Sequence, residues 1–157
     1  MEKKSSHRMA PASSVTVHVV SPEDRADVCA LRVADEQTRF VASNADSLEE
    51  ADENDACVPL VIRAGGQPVG FAMHALDEDD GNRWLYRLMI DARFQGHGYG
   101  AAALSLIVRR LSALPDCPFV MLGVKPENEA AIRLYERAGF RPTGETIEGE
   151  MVMRLDV

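Results

Sequence analysis

One stretch decides the fold of this chain: Trp84-Leu-Tyr-Arg-Leu-Met-Ile-Asp-Ala-Arg-Phe-Gln-Gly-His-Gly-Tyr-Gly-Ala-Ala-Ala-Leu-Ser-Leu-Ile-Val108. It begins with an apolar run typical of a strand, passes through a glycine-rich turn and ends in a helical pattern. Glycines occupy positions 96, 98 and 100, between the end of the predicted strand and the start of the predicted helix. Because glycine has no Cβ, several backbone N–H groups can point at one ligand there, and the helix dipole favours a negative one. The stretch therefore predicts an anion-binding turn.

Two well-known phosphate-binding motifs do not explain this turn. Gly96, Gly98 and Ala101 satisfy the dinucleotide pattern G-x-G-x-x-A, and Asp116 follows at about the spacing of 20 residues that the pattern requires. Asp116, however, lies ahead of the next predicted strand instead of at its C-terminal end, and this fingerprint normally opens a fold. No Gly-Lys-Ser/Thr follows the glycines, which excludes a nucleoside-triphosphate P-loop.

A third pattern fits the turn and extends beyond it. Gln95, Gly98 and Gly100 match Q/R-x-x-G-x-G/A, and residues 128 to 140 match N-x-x-A-x-x-x-Y-x-x-x-G-F. With these two signatures in order, separated by one predicted strand, the chain resembles the GNAT superfamily of acyl-CoA-dependent N-acyltransferases. The resemblance covers roughly residues 15 to 157. It implies an α/β (α+β) fold with a mixed, mostly antiparallel twisted sheet of about seven strands flanked by about four helices.

Composition limits the class of protein and its partners. The chain has 157 residues, 46% of them hydrophobic, and a net charge of −8, which argues against a nucleic-acid or anionic-membrane partner. Its three cysteines form neither a metal-binding spacing nor an even disulfide set, so we expect no metal and a reducing compartment. No run approaches the ~18 apolar residues of a membrane span. These features predict a cytoplasmic protein with a disordered arm over residues 1 to 14 and one domain over residues 15 to 157.

Hydrophobic periodicity and turn residues divide that domain into strands and helices. Ser21 followed by Pro22 predicts the start of the first helix, and Ser47 is the expected N-cap of the second. The expected strands are residues 15 to 20, 57 to 63, 68 to 76, 83 to 90, 119 to 124, 143 to 147 and 150 to 156. The expected helices are residues 22 to 33, 47 to 55, 98 to 113 and 128 to 138.

The resemblance implies acetyl-CoA as the cosubstrate and indicates which residues contact it. Strand residues Leu88, Met89 and Ile90 are expected to splay from the neighbouring strand at a bulge, pair with pantetheine and polarise the acetyl carbonyl. Asn128 is expected as a helix N-cap or as a cofactor contact, and the two roles are compatible. The pyrophosphate is expected at the turn formed by Gln95, Gly96, His97, Gly98, Tyr99, Gly100 and Ala101.

Tyr135 is the side chain best placed to protonate the departing thiolate. It lies seven residues after Asn128, two turns along the same face of the predicted helix. A phenol of pKa about 10 can donate a proton to a thiolate whose conjugate acid has a pKa near 8.5. The helix pattern alone favours Tyr135 as a packing residue, whereas the second signature favours the catalytic role.

The group that deprotonates the amine is not assigned by the sequence. Some members of the resembled family carry a glutamate eleven residues before the glutamine of the turn, and Trp84 occupies that position here. His74, Asp77, Glu78 and Asp80 end or follow the preceding strand and offer alternative bases. Turn and surface roles explain these four residues as well.

The acceptor is indicated by a narrower resemblance. Residues 84 to 91, 94 to 101, 126 to 131 and 140 to 152 are similar to bacterial spermine/spermidine (diamine) acetyltransferases, which implies acetyl transfer to a polyamine through a ternary complex. Glu36, Asp77, Glu78 and Trp84 are the candidate substrate-binding residues, although acid runs also form ordinary solvated faces. A homodimer is one possible assembly. A protein N-terminus or a small antibiotic amine as acceptor, and a non-catalytic acetyl-CoA sensor, stay open as alternatives.

Overall fold

A seven-stranded sheet forms the centre of the protein, whose computed structural model describes residues 9 to 157. The strands lie in the order β1-β2-β3-β4-β5-β7-β6, and every neighbouring pair is antiparallel except β4 and β5, which run parallel. This confirms the predicted mixed, mostly antiparallel sheet. The strands are Val15–Val19 (β1), Cys57–Ala64 (β2), Gln67–Leu76 (β3), Arg83–Ile90 (β4), Phe119–Val124 (β5), Arg141–Ile147 (β6) and Glu150–Asp156 (β7).

Four α-helices cover the two faces of the sheet, as predicted. They are Arg25–Ala30 (α1), Asn44–Glu53 (α2), Tyr99–Ser112 (α3) and Glu129–Arg137 (α4). Leu104, Ile107 and Leu111 recur at helical spacing along α3 and are buried against one face of the sheet. Val28 of α1 and Leu48 of α2 are buried on the other face. Each such side chain contributes about 1.5–3 kcal/mol by leaving water, so both faces stabilise the fold.

The first two helices differ from their predicted bounds. A 3-10 turn at Pro22–Asp24, capped by Ser21, precedes α1, and α1 ends at Ala30 instead of residue 33. The chain turns extended because the Arg32 N–H donates to the Asp91 carboxylate at 2.9 Å, which fixes this segment to the end of β4. Helix α2 begins at Asn44, since the hydroxyl of Ser43, not Ser47, accepts the Asp46 N–H at 3.1 Å.

The sheet is split between β4 and β5. These strands pair only where residues 83 to 85 lie beside residues 120 to 122, although β4 continues to Ile90. On its other edge, β4 carries a bulge: Met73 of β3 pairs with Arg87 while His74 pairs with Leu85, which leaves Tyr86 as the extra residue. Beyond Tyr86, the backbone edge of β4 that faces β5 has no partner strand within the described residues. A wedge-shaped opening therefore lies between the two strands.

The predicted N-terminal arm falls into two parts. Residues 1 to 8 lie outside the described residues. Residues 9 to 14, which were predicted to belong to the arm, instead pack on the domain: the Tyr99 hydroxyl donates to the Ala10 carbonyl, and the Ser14 hydroxyl accepts the Gly65 N–H at 3.1 Å. The Tyr99 side chain is buried, so its hydroxyl needs such a partner. No helix of residues 9 to 157 is long and apolar enough to cross a bilayer.

Candidate active site

The glycine-rich turn leaves a row of backbone N–H groups free at the start of α3. Gly98 is the N-cap of this helix and has a φ of +80°, a left-handed conformation that glycine adopts without strain. The first helical hydrogen bond runs from the Ala102 N–H to the Gly98 carbonyl at 3.1 Å. The N–H groups of residues 99 to 101 precede this first bond, so they have no carbonyl partner within α3. Such a row, at the positive end of a helix dipole, suits a phosphate ligand.

Gln95 and His97 differ from the other residues of the turn in the contacts that their side chains make. The Gln95 amide donates to the Ile90 carbonyl at 2.8 Å and to the Gln37 side chain at 3.0 Å, so it ties the turn to the end of β4. His97 is exposed and stacks beside Tyr99, with ring centroids 5.7 Å apart. His97 therefore does not line the cavity next to the turn, whereas the other six predicted turn residues do.

A cavity of about 480 Å³, here called the donor groove, begins at this turn. Its floor includes Leu88, Met89 and Ile90, the part of β4 that lies beyond the split. Helix α4 forms the opposite wall with Ala131 and Leu134. The structure thus brings the predicted strand residues and the predicted turn residues together along one groove.

A second cavity of about 420 Å³, here called the central cavity, continues the donor groove. Both are lined by Leu88, Asn128 and Ala131, and the Asn128 side chain caps α4 by accepting the Ala131 N–H at 3.3 Å. Tyr135 also lines the central cavity. The Tyr135 ring packs edge-on against Phe140, with centroids 5.8 Å apart.

The environment of Tyr135 keeps its hydroxyl protonated. Its side chain is only 8% exposed, so the hydroxyl is largely removed from water. Burial, and to a smaller extent the negative charge of Glu150, raise the pKa of Tyr135 to about 12. A phenol in this state can donate a proton but does not supply a phenolate at neutral pH.

A third cavity, of about 510 Å³, adjoins the central cavity and is here called the acidic cavity. The two share Tyr86, Gly123, Lys125 and Glu150. The remaining acids of its lining come from two turns that are far apart in sequence, and they are Asp77, Asp79, Asp80 and Glu148.

Hydrogen bonds hold the aromatic wall of the acidic cavity in place. The Tyr86 hydroxyl donates to Asp77 at 3.0 Å, and the Trp84 indole N–H donates to Asp80 at 3.0 Å. Of the four predicted substrate-binding residues, Asp77 and Trp84 line this cavity. Glu36 and Glu78 line none of the three cavities, because Glu36 lies in an exposed turn before α2 and Glu78 lies at an exposed turn position.

His74 is not placed to act as a base. Its side chain is 4% exposed, lines none of the three cavities, and has no hydrogen-bond partner for either ring nitrogen. Burial, followed by the charges of Arg110 and Arg83, lowers the pKa of His74 to about 4. Glu148 and Glu150 line the acidic cavity but were not among the residues predicted for the site. The sequence indicates them only by placing one acid on each side of Gly149.

Residues 9 to 157 contain no group of three or more His, Cys, Asp or Glu side chains arranged to hold a metal ion. The site offers backbone N–H groups, phenol hydroxyls and carboxylates.

Comparison with known proteins identifies the class of this site. The sequence model of the acetyltransferase (GNAT) family matches residues 25–140, a range that includes both signatures. The chain therefore belongs to the GNAT acetyltransferase family. It is an enzyme of the N-acetyltransferase class, as the names of its relatives also state.

Two curated relatives cover almost the whole chain. The spermine/spermidine N(1)-acetyltransferase of Bacillus subtilis (strain 168) is 37% identical over 147 residues, which span 89% of this chain and 97% of the relative. The probable spermine N(1)-acetyltransferase of Bacillus subtilis subsp. natto (strain BEST195) is 36% identical over 147 residues, with the same coverage.

Solved structures share the fold at lower identity. The aminoglycoside acetyltransferase AAC(6')-Ib in complex with coenzyme A has a TM-score of 0.77 at 22% identity, over 91% of this chain and 95% of that one. An acetyltransferase from Thermus thermophilus has a TM-score of 0.74 at 17% identity, over 92% of this chain and 97% of that one.

Proposed function

We propose that this protein transfers the acetyl group of acetyl-CoA directly to a primary amine of a polyamine such as spermine or spermidine, in a ternary complex. One observation carries the proposal: the donor groove, the central cavity and the acidic cavity adjoin one another in that order, with Tyr135 in the middle. The 37% identity to a spermine/spermidine acetyltransferase supports the same acceptor class.

The donor end has the features that acetyl-CoA requires. The N–H groups at the start of α3 are complementary to a pyrophosphate, and the edge of β4 at residues 88 to 90, which has no partner strand within the described residues, is complementary to the amides of pantetheine. Acetyl-CoA supplies a thioester, whose carbonyl carbon is the electrophile. A backbone N–H of that β4 edge would stabilise the negative charge on the carbonyl oxygen as the amine attacks. Tyr135 would then donate its proton to the departing sulfur.

The acceptor end has the charge that a polycation requires. Asp77, Asp79, Asp80, Glu148 and Glu150 line the acidic cavity, and Lys125 is its one cation among the lining residues. Each exposed ion pair contributes only about 0.2–1 kcal/mol, so a ligand needs several ammonium groups to gain much from this lining. Spermine and spermidine carry such groups, and a monoamine does not.

The test compares kcat/KM for spermine and butylamine. The reaction is measured by the release of the CoA thiol from acetyl-CoA. We expect spermine to be preferred at low salt, and we expect high salt to reduce the preference by raising KM for spermine. Equal kcat/KM values for the two amines at low salt would contradict the proposed acceptor.

Two double variants test whether the preference for spermine arises from the charges of the acidic cavity. Asp79→Asn with Glu148→Gln removes two charges from the acidic cavity, and we expect kcat/KM for spermine to fall by about 2- to 30-fold. Glu36→Gln with Glu78→Gln removes two charges from outside the cavity, and we expect little change. An equal loss in both double variants would show that only the overall charge of the protein matters.

An aminoglycoside is the second candidate acceptor. Structures that share this fold were solved with coenzyme A and kanamycin or with ribostamycin, and those ligands also carry several amines. The acidic cavity is complementary to both kinds of polycation, so kanamycin belongs in the same amine panel. The homodimer and the cytoplasmic location stay predictions, of which the first is tested by sedimentation.

A further inference from the structure

The reaction needs a group that removes a proton from the acceptor amine. An alkylammonium with a pKa near that of lysine, about 10.4, is almost entirely protonated at neutral pH and has no lone pair for attack. Trp84 occupies the position at which some family members carry a glutamate, and His74 is buried outside all three cavities. The base must therefore come from the lining of the cavities themselves.

Glu150 is the carboxylate that lines both the central cavity and the acidic cavity. It is the first residue of β7. Strand β7 pairs with the edge of β5 that faces away from β4 and from the split. The other acids of the acidic cavity do not line the central cavity. An amine that approaches Tyr135 from the acidic cavity passes Glu150.

Gly123 of β5 provides the space that the Glu150 carboxylate occupies. A Cβ built on Gly123 would lie 2.6 Å from Glu150 Oε1, closer than a Cβ normally lies to any non-bonded atom. The absence of a side chain at position 123 therefore lets the carboxylate lie over the β5 backbone. This placement is specific to Glu150 and does not depend on the acid-rich turns.

Tyr135 provides a second, independent observation at the same place. Its side chain is more than nine-tenths buried, and Tyr135 lines the central cavity together with Glu150. The negative charge of Glu150 is close enough to contribute to the raised pKa of this phenol. A proton donor and a proton acceptor thus lie at the same cavity.

We propose that Glu150 is the general base, which accepts a proton from the acceptor ammonium at the junction of the central and acidic cavities. The neutral amine then forms a C–N bond with the acetyl carbon, and the C–S bond breaks. Tyr135 protonates the leaving sulfur and regains a proton from the nitrogen of the new amide, while the first proton leaves Glu150 for solvent. The products are one N-acetylated amine, one thiol and one released proton.

This inference rests on the proposed amine acetylation but not on a polyamine as the acceptor. Its test therefore uses two small amines of nearly the same size, ethylamine and 2,2,2-trifluoroethylamine. Ethylamine is protonated at pH 7.5 and needs a base, whereas the fluorines make trifluoroethylamine largely neutral at that pH. Glu150→Gln keeps the shape of the side chain and removes its basicity.

We expect Glu150→Gln to lower kcat/KM for ethylamine by about 10²–10⁴-fold, the range typical of general base catalysis, and for trifluoroethylamine by less than about threefold. Gly123→Ala should give the same selective loss, because its methyl group displaces the carboxylate without removing the charge. Glu145→Gln is the matched control: Glu145 is exposed on β6 and lines none of the three cavities, so both rates should be kept.

Calorimetric affinity for acetyl-CoA and a thermal melt establish that each variant is folded. Equal losses for both amines would overturn the role of Glu150 as a base and make it a binding residue. No loss for either amine would overturn any role for it. Wild-type protein that acetylates no amine at all would reject the proposed function itself, whereas failure of the spermine preference alone would reject only the acceptor class.

Discussion

At the scale of single residues, the site depends on how burial changes the chemistry of one phenol. The sequence predicts a tyrosine of ordinary pKa, whereas burial and the nearby charge of Glu150 raise the pKa of Tyr135 to about 12. A raised pKa means that the neutral form is favoured in the folded protein, so the proton is lost only at strongly alkaline pH. Tyr135 is therefore ready to donate throughout the range in which an amine substrate becomes neutral.

The variant Tyr135→Phe tests whether Tyr135 donates the proton to the departing thiolate. We expect kcat to fall by about 10²–10⁴-fold with a saturating amine, because the thiolate then leaves without a proton donor, while the dissociation constant of acetyl-CoA changes little. The wild-type profile of kcat against pH should show no decline from phenol ionisation below about pH 11, since the pKa is about 12. The measurement is that profile for both proteins, supported by thermal melts.

A variant that keeps more than about half of the wild-type kcat, with product release shown not to limit the rate, would contradict the general-acid role. Tyr135 would then be a packing residue against Phe140.

At the scale of secondary-structure elements, the start of α3 contains two glycines with different constraints. Gly98 has a φ of +80°, so any other residue there is strained whether or not a ligand is present. Gly100 has an ordinary helical backbone, and a Cβ there would lie 3.7 Å from Leu134 and 3.8 Å from Ile90, which is normal contact. A substitution at Gly100, unlike one at Gly98, can therefore weaken ligand binding without straining the backbone of the folded protein.

Gly100→Val is therefore expected to weaken acetyl-CoA binding by tenfold or more while leaving the protein folded. The added methyl groups would enter the donor groove between α3, α4 and β4, where the ligand is expected to lie. Ser105→Val, on the exposed side of α3, controls for the effect of a β-branched residue on the helix. Calorimetry measures the affinities, and unchanged affinity in folded Gly100→Val would contradict the assignment of the turn.

The bounds of these elements show what local sequence can predict. The bounds of β4, β5 and β7 agree with the prediction because their apolar runs end at clear turn residues. The start of α2 differs because Ser43, not Ser47, is its N-cap, and the end of α1 differs because a tertiary contact, from the Arg32 N–H to Asp91, decides where that helix stops. That contact joins residues 59 positions apart, so no local pattern reports it.

At the scale of the whole molecule, the two ends of the site differ in how far the sequence predicts them. The donor end is built from two continuous motifs, and the structure places both beside one groove. The acidic cavity is built from a turn after β3 and a turn before β7, which meet only because β7 lies next to β5 in the sheet. Glu150 could be found only after this strand order was known, whereas Glu36 was predicted from its charge and lies elsewhere.

The split between β4 and β5 divides the sheet into two slabs, β1–β4 and β5–β7, that share backbone hydrogen bonds only near residues 83 to 85. A ligand in the donor groove would touch both slabs and act as a cross-link between them. Binding should therefore slow amide hydrogen exchange at residues 88 to 90, and acetyl-CoA at 100 times its dissociation constant should add about 2.7 kcal/mol to the free energy of unfolding. Exchange rates at those amides that stay the same in the saturated complex would show that the slabs are held together without their ligand.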